Sequence, residues 1–589
     1  MNHSNIQDDL VDYYRREMAY LRESGDQFSQ RYPKVAQRLA VNASESKDPH
    51  TERIIESFAF LTARVQREID REFPTAALAI LENICPILTR PTPSMGIAHM
   101  TLDANQGKVM AGIKVPRGTF LQAIASSGHT CRFQTTWDAE LWPLNIVSTA
   151  IEDSRGLVLK FATHAGVALR DLDLERIRLH LSGEFMISMP LYDALVSNLE
   201  RIEIGDEKGN RVSDLSPNHL GEVGYAEGEQ VLPQNGSINP AFNLLQEYFA
   251  FPHKFLFFDL KDLKGCLGQG NGFTLKFIFK SASKVLSSVS KNTFKLGCVP
   301  IINLFPKTSE PITFERRQHQ YLLVPDYLRE SSHEIHSVES VISSDPEAKE
   351  PQILPYLFST DRMMDEESHI FWNSHREQSL RPGISGSDVF ISFVDRSLLN
   401  QTPNKPVLFA KLMCTNRRVA EMVQAGARFI GESISSNILV HNLYEPVAQR
   451  NPLSASKSIF SLIEILRLNH HSLIHGDKPV QHLKELLLLF AGDASKNQIQ
   501  VRGVKSLKAK PSIARIGRDT WRGHCVGNDI WIDLDESAFV GGSGYIFAGV
   551  LARFFGLYTT VNSYTRLGLM RNGEVLRQWP AYAGWQCLI

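Results

Sequence analysis

Residues 88–102, LTRPTPSMGIAHMTL, mark a change of secondary structure along the chain. Before them, apolar residues recur at helical spacing. Pro91 and Pro93 then stop the helical pattern, because proline lacks an amide donor and its ring clashes inside a helix. From residue 96 to 102 the sequence becomes short and alternating, which is typical of a β-strand. This stretch therefore predicts a helical region followed by a mainly β region.

The residues before this stretch predict three helices. Large side chains recur at steps of four and three from Tyr14 to Tyr32, which places them on one helical face. A second helix begins at Asp48-Pro49, with Asp as N-cap and Pro at the first helical position. Pro74 is expected to end it, and a third helix runs to about Leu88. The apolar stripe of the second helix comprises Ile54, Phe58, Leu61, Val65 and Ile69.

Short alternating segments, separated by Gly, Asp or Pro clusters, predict antiparallel strands over residues 94–400. The clearest strands are at 96–102, 157–163, 176–181 and 273–279. A helical interruption is expected near 191–198 and a charged loop at 343–351. After about residue 400, helices are predicted at 455–468, 480–490 and 545–558.

The fold class predicted from this order is a multidomain α+β protein. It has an N-terminal helical domain at residues 1–93 and a mainly antiparallel β region at 94–400, which holds one or two domains. A mixed α+β domain follows at 401–589.

Composition excludes several classes of partner. The 589 residues include 63 basic and 64 acidic side chains, so the net charge of −1 offers no electropositive surface to nucleic acid. Seven dispersed cysteines without a CxxC pair indicate a reducing compartment. The N-terminus lacks an apolar signal segment, and no apolar run reaches the roughly 20 residues that span a bilayer. We therefore expect a soluble cytoplasmic protein without direct membrane insertion.

Two histidine groups have partial metal-site spacing. His471 and His475 stand at i and i+4 with His470 beside them, but no third ligand and no intervening glutamate accompany them. His333 and His336 lie in a segment that favours a strand or loop, where their side chains would point to opposite faces. A polar cluster at a helix end or an interface is therefore the favoured interpretation of the first group.

Two further patterns are weak indications of a ligand-binding or catalytic site. The glycine-rich segments at 265–272 and 541–544 lack the Lys-Ser/Thr of a P-loop and the third glycine of a dinucleotide site. Asp529, Asp533 and Asp535 would share one strand face, as a calcium or glycosidase-like site requires. A half-solvated strand face is the commoner arrangement. We therefore predict no catalytic residue, no cofactor, no metal ligand and no enzymatic activity.

Blocks of sequence, in one order along the whole chain, resemble a known family. The first blocks are DYYRREMAYL (12–21), FSQRYPKVAQRL (28–39), DPHTER (48–53) and SFAFLTARVQREIDREF (57–73). Later blocks are FPHKFLF (251–257), CVPIINLFP (298–306), VPD (324–326), CTNR (414–417) and FFGLYTTVNSYTRL (554–567). Together they resemble TssF, the VasA or ImpG family of type VI secretion baseplate proteins. None of these blocks is a catalytic motif.

The resemblance implies an architectural role. It implies an elongated, wing-like wedge protein, of which two copies pair with TssG and are bound by TssK. The wedges surround the VgrG spike and carry the tube and the contractile sheath, with TssE among the expected neighbours. The resemblance also implies recruitment to the inner face of the cytoplasmic membrane, where the membrane complex is reached indirectly.

The N-terminal aromatic residues are the predicted partner-binding residues, because aromatic side chains anchor interfaces well. With their apolar neighbours they are Tyr13, Tyr14, Met18, Tyr20, Leu21, Phe28 and Tyr32. The competing interpretation is that they pack against the helix at 51–73, since helix stripes more often face a core. Two other functions stay open at this point. One is a β-rich, phage-tail-like binding module, and the other is an enzyme that uses the histidine or aspartate groups.

Overall fold

The fold was analysed in a computed structural model of the chain. It describes residues 13–15, 17–22, 28, 31–32, 34, 49–103, 112–164, 167–234, 239–268, 270–313, 318–344, 352–356, 370–379, 381, 383–395, 407–452, 459–466, 470–476, 478–515, 523–571 and 573–584. The chain divides into two compact units. The first comprises Met1–Asn83 with Ser454–Glu464, and the second comprises Ile84–Leu453 with Ile465–Ile589.

The helices follow from amphipathic or apolar runs bounded by prolines and caps. Residues 13–15 and 17–22 are helical. The other α-helices of the described residues are α1 (Pro49–Ile84), α2 (Pro86–Thr89), α3 (Phe185–Ser197), α4 (Pro240–Ala250), α5 (Ile459–Leu466), α6 (His470–His475), α7 (Pro479–Ala491), α8 (Ser495–Arg502) and α9 (Gly544–Tyr558).

The β-strands are short and numerous. In the first half of the chain they are β1 (Met95–Leu102), β2 (Ile113–Val115), β3 (Phe120–Ile124), β4 (Thr130–Thr135), β5 (Ala139–Leu141), β6 (Leu144–Glu152), β7 (Gly156–Thr163), β8 (Ile177–Leu181), β9 (Leu199–Asp206), β10 (Arg211–Leu215), β11 (Leu220–Val223), β12 (Phe257–Leu260), β13 (Gly272–Phe279), β14 (Phe294–Lys295) and β15 (Cys298–Ile302). The later strands are β16 (Phe305–Thr308), β17 (Ile312–Thr313), β18 (Tyr321–Leu322), β19 (Glu334–Ser343), β20 (Gln352–Pro355), β21 (Ile370–Gln378), β22 (Ser387–Asp395), β23 (Val407–Thr415), β24 (Arg428–Gly431), β25 (Ile438–Asn442), β26 (Val504–Arg515), β27 (His524–Leu534), β28 (Ser563–Arg571), β29 (Glu574–Gln578) and β30 (Tyr582–Ala583).

The second unit contains a closed barrel. Its strands follow the order β1-β15-β4-β3-β24-β25, and neighbouring strands are hydrogen-bonded. Side chains fill a barrel of this size. The rings of Phe133 and Phe429 meet inside it edge to face, with centroids 5.5 Å apart. Met100, Leu121 and Val440 belong to the same buried cluster.

Four larger sheets and one two-stranded sheet accompany the barrel. Their strand orders are β10-β9-β13-β7-β6, β11-β12-β8-β14, β16-β23-β19-β20-β21-β22-β18 with β17 on β23, β26-β27-β28-β29 with β30 on β28, and β2-β5. Most of these pairs are antiparallel, as the sequence predicts; β27 and β28 form a parallel pair. The α+β, multidomain fold class is therefore confirmed.

The structure corrects three details of the predicted elements. Pro74 does not end the second helix, because α1 runs without interruption from Pro49 to Ile84. A proline removes one backbone hydrogen bond, and the bonds on either side of it hold a helix of this length together. The helix α4 stands within the region that the sequence assigns to strands. The helix near 191–198 begins earlier, at Phe185, with Pro190 inside it.

Other predicted elements agree with the structure, or lie partly outside the residues that it describes. The strands expected at 96–102, 157–163, 176–181 and 273–279 correspond to β1, β7, β8 and β13. Most of the charged loop at 343–351 lies outside the described residues. The division at residues 93 and 400 stays a prediction. Strand pairing does connect the two sides of residue 400, because β24 and β25 close the barrel that β1 begins.

Candidate partner-binding surface

The predicted partner-binding residues divide into covered and exposed side chains. Met18 is buried, with 8% of its surface exposed, while Tyr20 is 65% exposed. The two stand two positions apart along the helix, so their side chains leave it in different directions. Tyr13, Tyr14 and Leu21 are half-buried. Met18 lies on the helical face predicted from the sequence and is covered. Tyr20 lies off that face and is exposed.

Phe28 and Tyr32 form an exposed aromatic pair. Their ring centroids are 5.4 Å apart, and the rings are tilted by 45°. Phe28 is 38% exposed and Tyr32 is 55% exposed. Aromatic pairs of this geometry stabilise each other modestly and offer one continuous apolar surface.

The apolar stripe of α1 is the largest exposed feature of the first unit's described residues. Ile54, Phe58, Leu61 and Val65 are each more than half exposed, although they are large and apolar. In an ordinary amphipathic helix such a stripe faces the core. We call these four residues the α1 stripe.

Small residues occupy the covered side of the same helix. Ala59 and Ala63 are completely buried, one residue after Phe58 and two residues after Leu61. Small side chains let a neighbouring segment approach closely, so α1 packs through its alanines and leaves its large residues in solvent. Contiguous exposed apolar surface marks interaction sites in soluble proteins. The α1 stripe therefore has the character of a docking surface for another helix, at the 4-3-4 spacing of helix-helix seams.

Sequence reasoning found the stripe as a pattern but did not assign it to partner binding. The spacing of its residues is equally typical of a core face, so the sequence alone does not tell whether the stripe is covered or exposed. The alanines at 59 and 63 were the available signal, because they provide a second apolar face on the same helix. The side chain of Ile69, the fifth predicted member of the stripe, lies outside the described part of α1.

The histidines considered as metal ligands have ordinary structural surroundings. His475 Nε2 lies 2.9 Å from Asn528 Oδ1. His336 is buried in β19, where burial and the charges of Arg90 and Arg376 hold its pKa well below the usual range. Burial also lowers the pKa of His333 to about 4. The side chains of His470 and His471 lie outside the described set, within which three or more potential metal ligands do not cluster.

Of the three aspartates, Asp529 and Asp533 stand on one face of β27 and are both half-buried. Asp529 is bound by Arg566 of the neighbouring strand, at 2.9 Å and 2.6 Å, and only 14% of its side chain is exposed. Asp535 lies beyond the end of β27 and accepts a hydrogen bond from the Ser537 amide at 3.2 Å. The predicted half-solvated strand face therefore agrees with the structure for Asp529 and Asp533 and is wrong for Asp535. The pairing of Asp529 with Arg566 on β28 was not predictable, because it depends on sheet topology.

A buried polar group, which we call the Glu334 network, was missed by sequence reasoning. The Glu334 carboxylate accepts hydrogen bonds from the Ser387 amide at 2.8 Å and the Gln449 side chain at 2.7 Å. Arg417 lies 3.7 Å from the same carboxylate and donates to the His333 carbonyl at 2.8 Å. Buried charges persist when they are paired and hydrogen-bonded, so this network joins separate segments of the second unit.

None of the helices in the described part of the chain has the length and apolar character needed to cross a membrane.

Comparison with known proteins places these features in a family. The family described as "Type VI secretion system, TssF" matches residues 6–586. The chain is 28% identical over 613 aligned positions to the type VI secretion system component TssF1 of Pseudomonas aeruginosa, covering 98% of each protein.

Two solved structures share the fold. One chain of a TssK-TssF-TssG baseplate subcomplex of the type VI secretion system matches with a TM-score of 0.73 and 22% identity, covering 90% of this chain and 98% of that one. A chain of a type VI secretion baseplate complex matches with a TM-score of 0.57 and 20% identity, covering 98% of this chain and 100% of that one. Because the family match extends over nearly its whole length, the chain belongs to the TssF family of type VI secretion baseplate components.

Proposed function

We propose that this chain is a structural, non-catalytic subunit of a type VI secretion baseplate wedge and binds its partner subunits through the N-terminal unit. The observation that carries this proposal is the α1 stripe, with its four large apolar side chains in solvent. A helical partner that covered it would remove that apolar surface from water, at about 25 cal/mol per Å². The exposed pair of Phe28 and Tyr32 adds aromatic surface of the kind that anchors interfaces.

The partners follow from the family. TssK and TssG accompany TssF in the solved subcomplex, so we infer that the corresponding subunits bind this chain. A second copy of the chain completes the wedge in this proposal. The VgrG spike, TssE and the sheath are its expected neighbours in the assembled baseplate. The proposed location is the cytoplasm, at the inner face of the membrane that carries the membrane complex.

Co-purification with the TssG and TssK subunits of the same secretion system tests this proposal. Replacing Phe58 and Leu61 together by glutamate places two charges on the α1 stripe. Because charges are costly at a desolvated interface, we expect about a tenfold or greater loss of co-purified TssG and TssK. The variant alone keeps the thermal unfolding transition of the native chain, since both residues are already exposed.

The matched control is the same double change at Ile513 and Val526. These residues face each other across β26 and β27 and are 69% and 65% exposed. We expect this control to retain both partners at the native level. Equal retention of TssG and TssK by the α1 stripe variant and the control would refute the proposed role of the N-terminal unit.

A further inference from the structure

A short loop in the second unit holds two large side chains in solvent. It is the 3-10 segment Tyr327–Ser332, between β18 and β19. Leu328 is 96% exposed and Tyr327 is 65% exposed, and the next residue, Arg329, is exposed as well. We call these three residues the Tyr327 tip. A single exposed leucine is common on protein surfaces, so exposure alone carries no conclusion.

The N-terminal side of the tip is fixed by polar contacts. Asp326 caps the segment, because its carboxylate accepts a hydrogen bond from the Leu328 amide at 3.0 Å. Lys307 pairs with the same carboxylate. Glu310 accepts a hydrogen bond from the Tyr327 amide at 3.3 Å. The backbone on which Tyr327 and Leu328 stand is therefore held from two different segments.

The C-terminal side of the tip is fixed as firmly. The Arg329 carbonyl accepts hydrogen bonds from the Ser332 hydroxyl at 3.1 Å and from His333 Nδ1 at 3.0 Å. The Glu330 side chain pairs with Arg381, and its carbonyl accepts a hydrogen bond from Arg417 Nε at 3.3 Å. Through Arg417 the loop is tied to the Glu334 network described above.

This rigidity distinguishes the tip from an ordinary surface loop. Binding costs free energy for every loop and side chain that it immobilises, and a backbone that is already fixed avoids most of that cost. Tyrosine and arginine are also the residue types that dominate interface energetics. The tip is anchored on both sides and exposes Tyr, Leu and Arg to solvent. These are the properties expected of a loop that binds a partner.

The charges around the tip define the chemistry of its partner. Asp326 pairs with Lys307, and Arg381 pairs with both Glu330 and Asp388, with the latter at 2.6 Å. Glu310 lies at the base of the tip, where it accepts the hydrogen bond from the Tyr327 amide. Arg329 supplies the one charge of the tip itself, and its guanidinium has no ion-pair partner among residues that the structure describes. The complementary surface is apolar, with a carboxylate beside it.

We propose that the Tyr327 tip docks into an apolar, carboxylate-edged pocket on a different protein subunit of the baseplate. This proposal rests on the proposed function, since it assumes assembly with other subunits. It concerns a second contact, carried by the β region and separate in sequence from the α1 stripe. The partner is a protein, because the tip offers one guanidinium and two uncharged side chains, which is little for a nucleic acid or a membrane.

Site-specific photo-crosslinking within the purified complex with TssG and TssK tests the docking. A benzophenone amino acid replaces Leu328 in one variant and Val540 in the control, which is 67% exposed on a different part of the second unit. We expect the position-328 variant to form a covalent product with TssG or TssK at several times the control yield. Mass spectrometry should locate the product in a peptide that contains apolar residues and an aspartate or glutamate.

A charge test completes the experiment. The Arg329→Glu change reverses the tip charge, and we expect it to lower the position-328 crosslink yield severalfold, whereas Arg329→Lys retains it. A yield at 328 no higher than at 540, a product with a second copy of this chain only, or an unchanged yield with Arg329→Glu would each overturn the docking proposal. Recovery of TssG and TssK with the chain is measured in the same sample, so failure of the proposed function is seen separately as loss of the complex itself.

Discussion

Gly386 occupies a position at which a side chain does not fit. Its φ of +106° lies in the region that favours glycine. A Cβ atom there would lie 2.6 Å and 2.8 Å from the two carboxylate oxygens of Glu334, and 2.9 Å from Arg417. These two side chains belong to the buried Glu334 network and are themselves held by several hydrogen bonds. The Glu334 network therefore leaves no room for a side chain at position 386.

We expect Gly386→Ala to lower the free energy of unfolding by about 2 kcal/mol or more, because the methyl group displaces buried charged groups. Gly383→Ala is the matched control. Gly383 has a φ of +77° in the same loop, but an added Cβ would meet no atom within 4 Å. The control should lose only the roughly 1 kcal/mol of stability that the added backbone strain costs. Urea unfolding measures both, and equal losses would contradict the packing argument.

This residue-level chemistry was not predictable from the sequence. Glu334 stands in the sequence between two histidines, and its partners Ser387, Arg417 and Gln449 come from distant segments. Isolated charged and polar residues carry no periodicity, so nothing in their spacing indicates that they meet. The sequence pointed to the neighbouring His333 and His336 as possible metal ligands, but both are buried.

At the level of elements, helix α4 is the clearest case of a feature that pattern reasoning missed. All of its residues, from Pro240 to Ala250, are buried. Its polar residues Asn243, Gln246 and Glu247 share one face, as in an amphipathic helix, but the helix is only 11 residues long and stands among predicted strands. Glu247 stands within it, and its carboxylate accepts hydrogen bonds from the amides of Val231 at 2.6 Å and Leu232 at 2.7 Å. Lys254, which is also buried, pairs with the same carboxylate.

This ion pair predicts strong non-additivity. Lys254→Met leaves the Glu247 carboxylate buried without a cation, and Glu247→Gln leaves the Lys254 ammonium buried without an anion. Each single change should cost about 3–5 kcal/mol of unfolding free energy. The double variant should recover most of that loss, because the amide oxygen of the introduced glutamine still accepts the two backbone hydrogen bonds. Urea unfolding of the three variants gives the coupling energy, and additive losses would show that the pair is not coupled.

Elements with a clear period were predictable. Strands β1, β7, β8 and β13 and helix α9 stand where alternation or helical spacing placed them. The α1 stripe was found by its spacing, but its exposure was not, because spacing does not tell whether a neighbouring chain segment or a partner subunit covers a face. Pro74 shows a different error. A proline usually ends a helix, but α1 continues through this one.

At the level of the whole molecule, pairing between distant segments decides the architecture. The barrel joins β1, near residue 100, with β25, near residue 440. Such long-range pairs were not predictable from one sequence, because each strand alone is compatible with many partners. Family resemblance supplied the identity that these local patterns lacked, and the match over residues 6–586 confirms it.

Asp193 connects two helices that are far apart in the chain. Its carboxylate accepts a hydrogen bond from Ser543, the N-cap of α9, while Asp193 itself belongs to α3. Burial raises the pKa of Asp193 to about 7, from an ordinary value of 3.8, and Glu536 adds to this effect. The hydrogen bond from Ser543 opposes the rise without cancelling it.

The raised pKa makes the stability of the chain depend on pH. Between about pH 4 and pH 7 the folded chain holds a proton on Asp193 that the unfolded chain has released. Stability therefore falls as the pH rises through this window, and the loss is complete above the folded pKa. Asp193→Asn cannot ionise, yet its side chain oxygen still accepts the hydrogen bond from Ser543. The variant should thus gain stability relative to the native chain as the pH rises.

Between pH 5 and pH 8.5 we expect the difference in unfolding free energy, variant minus native, to grow by up to about 2–3 kcal/mol. Thermal and urea unfolding of both proteins at the two pH values measure this difference. Other titrating groups contribute equally to the two proteins, so they cancel in the comparison. A difference that stays constant, or that shrinks toward pH 8.5, would mean that Asp193 is already ionised in the folded chain at pH 5. In that case the contact between α3 and α9 would be held by a charged hydrogen bond, and Asp193→Asn would weaken it at both pH values.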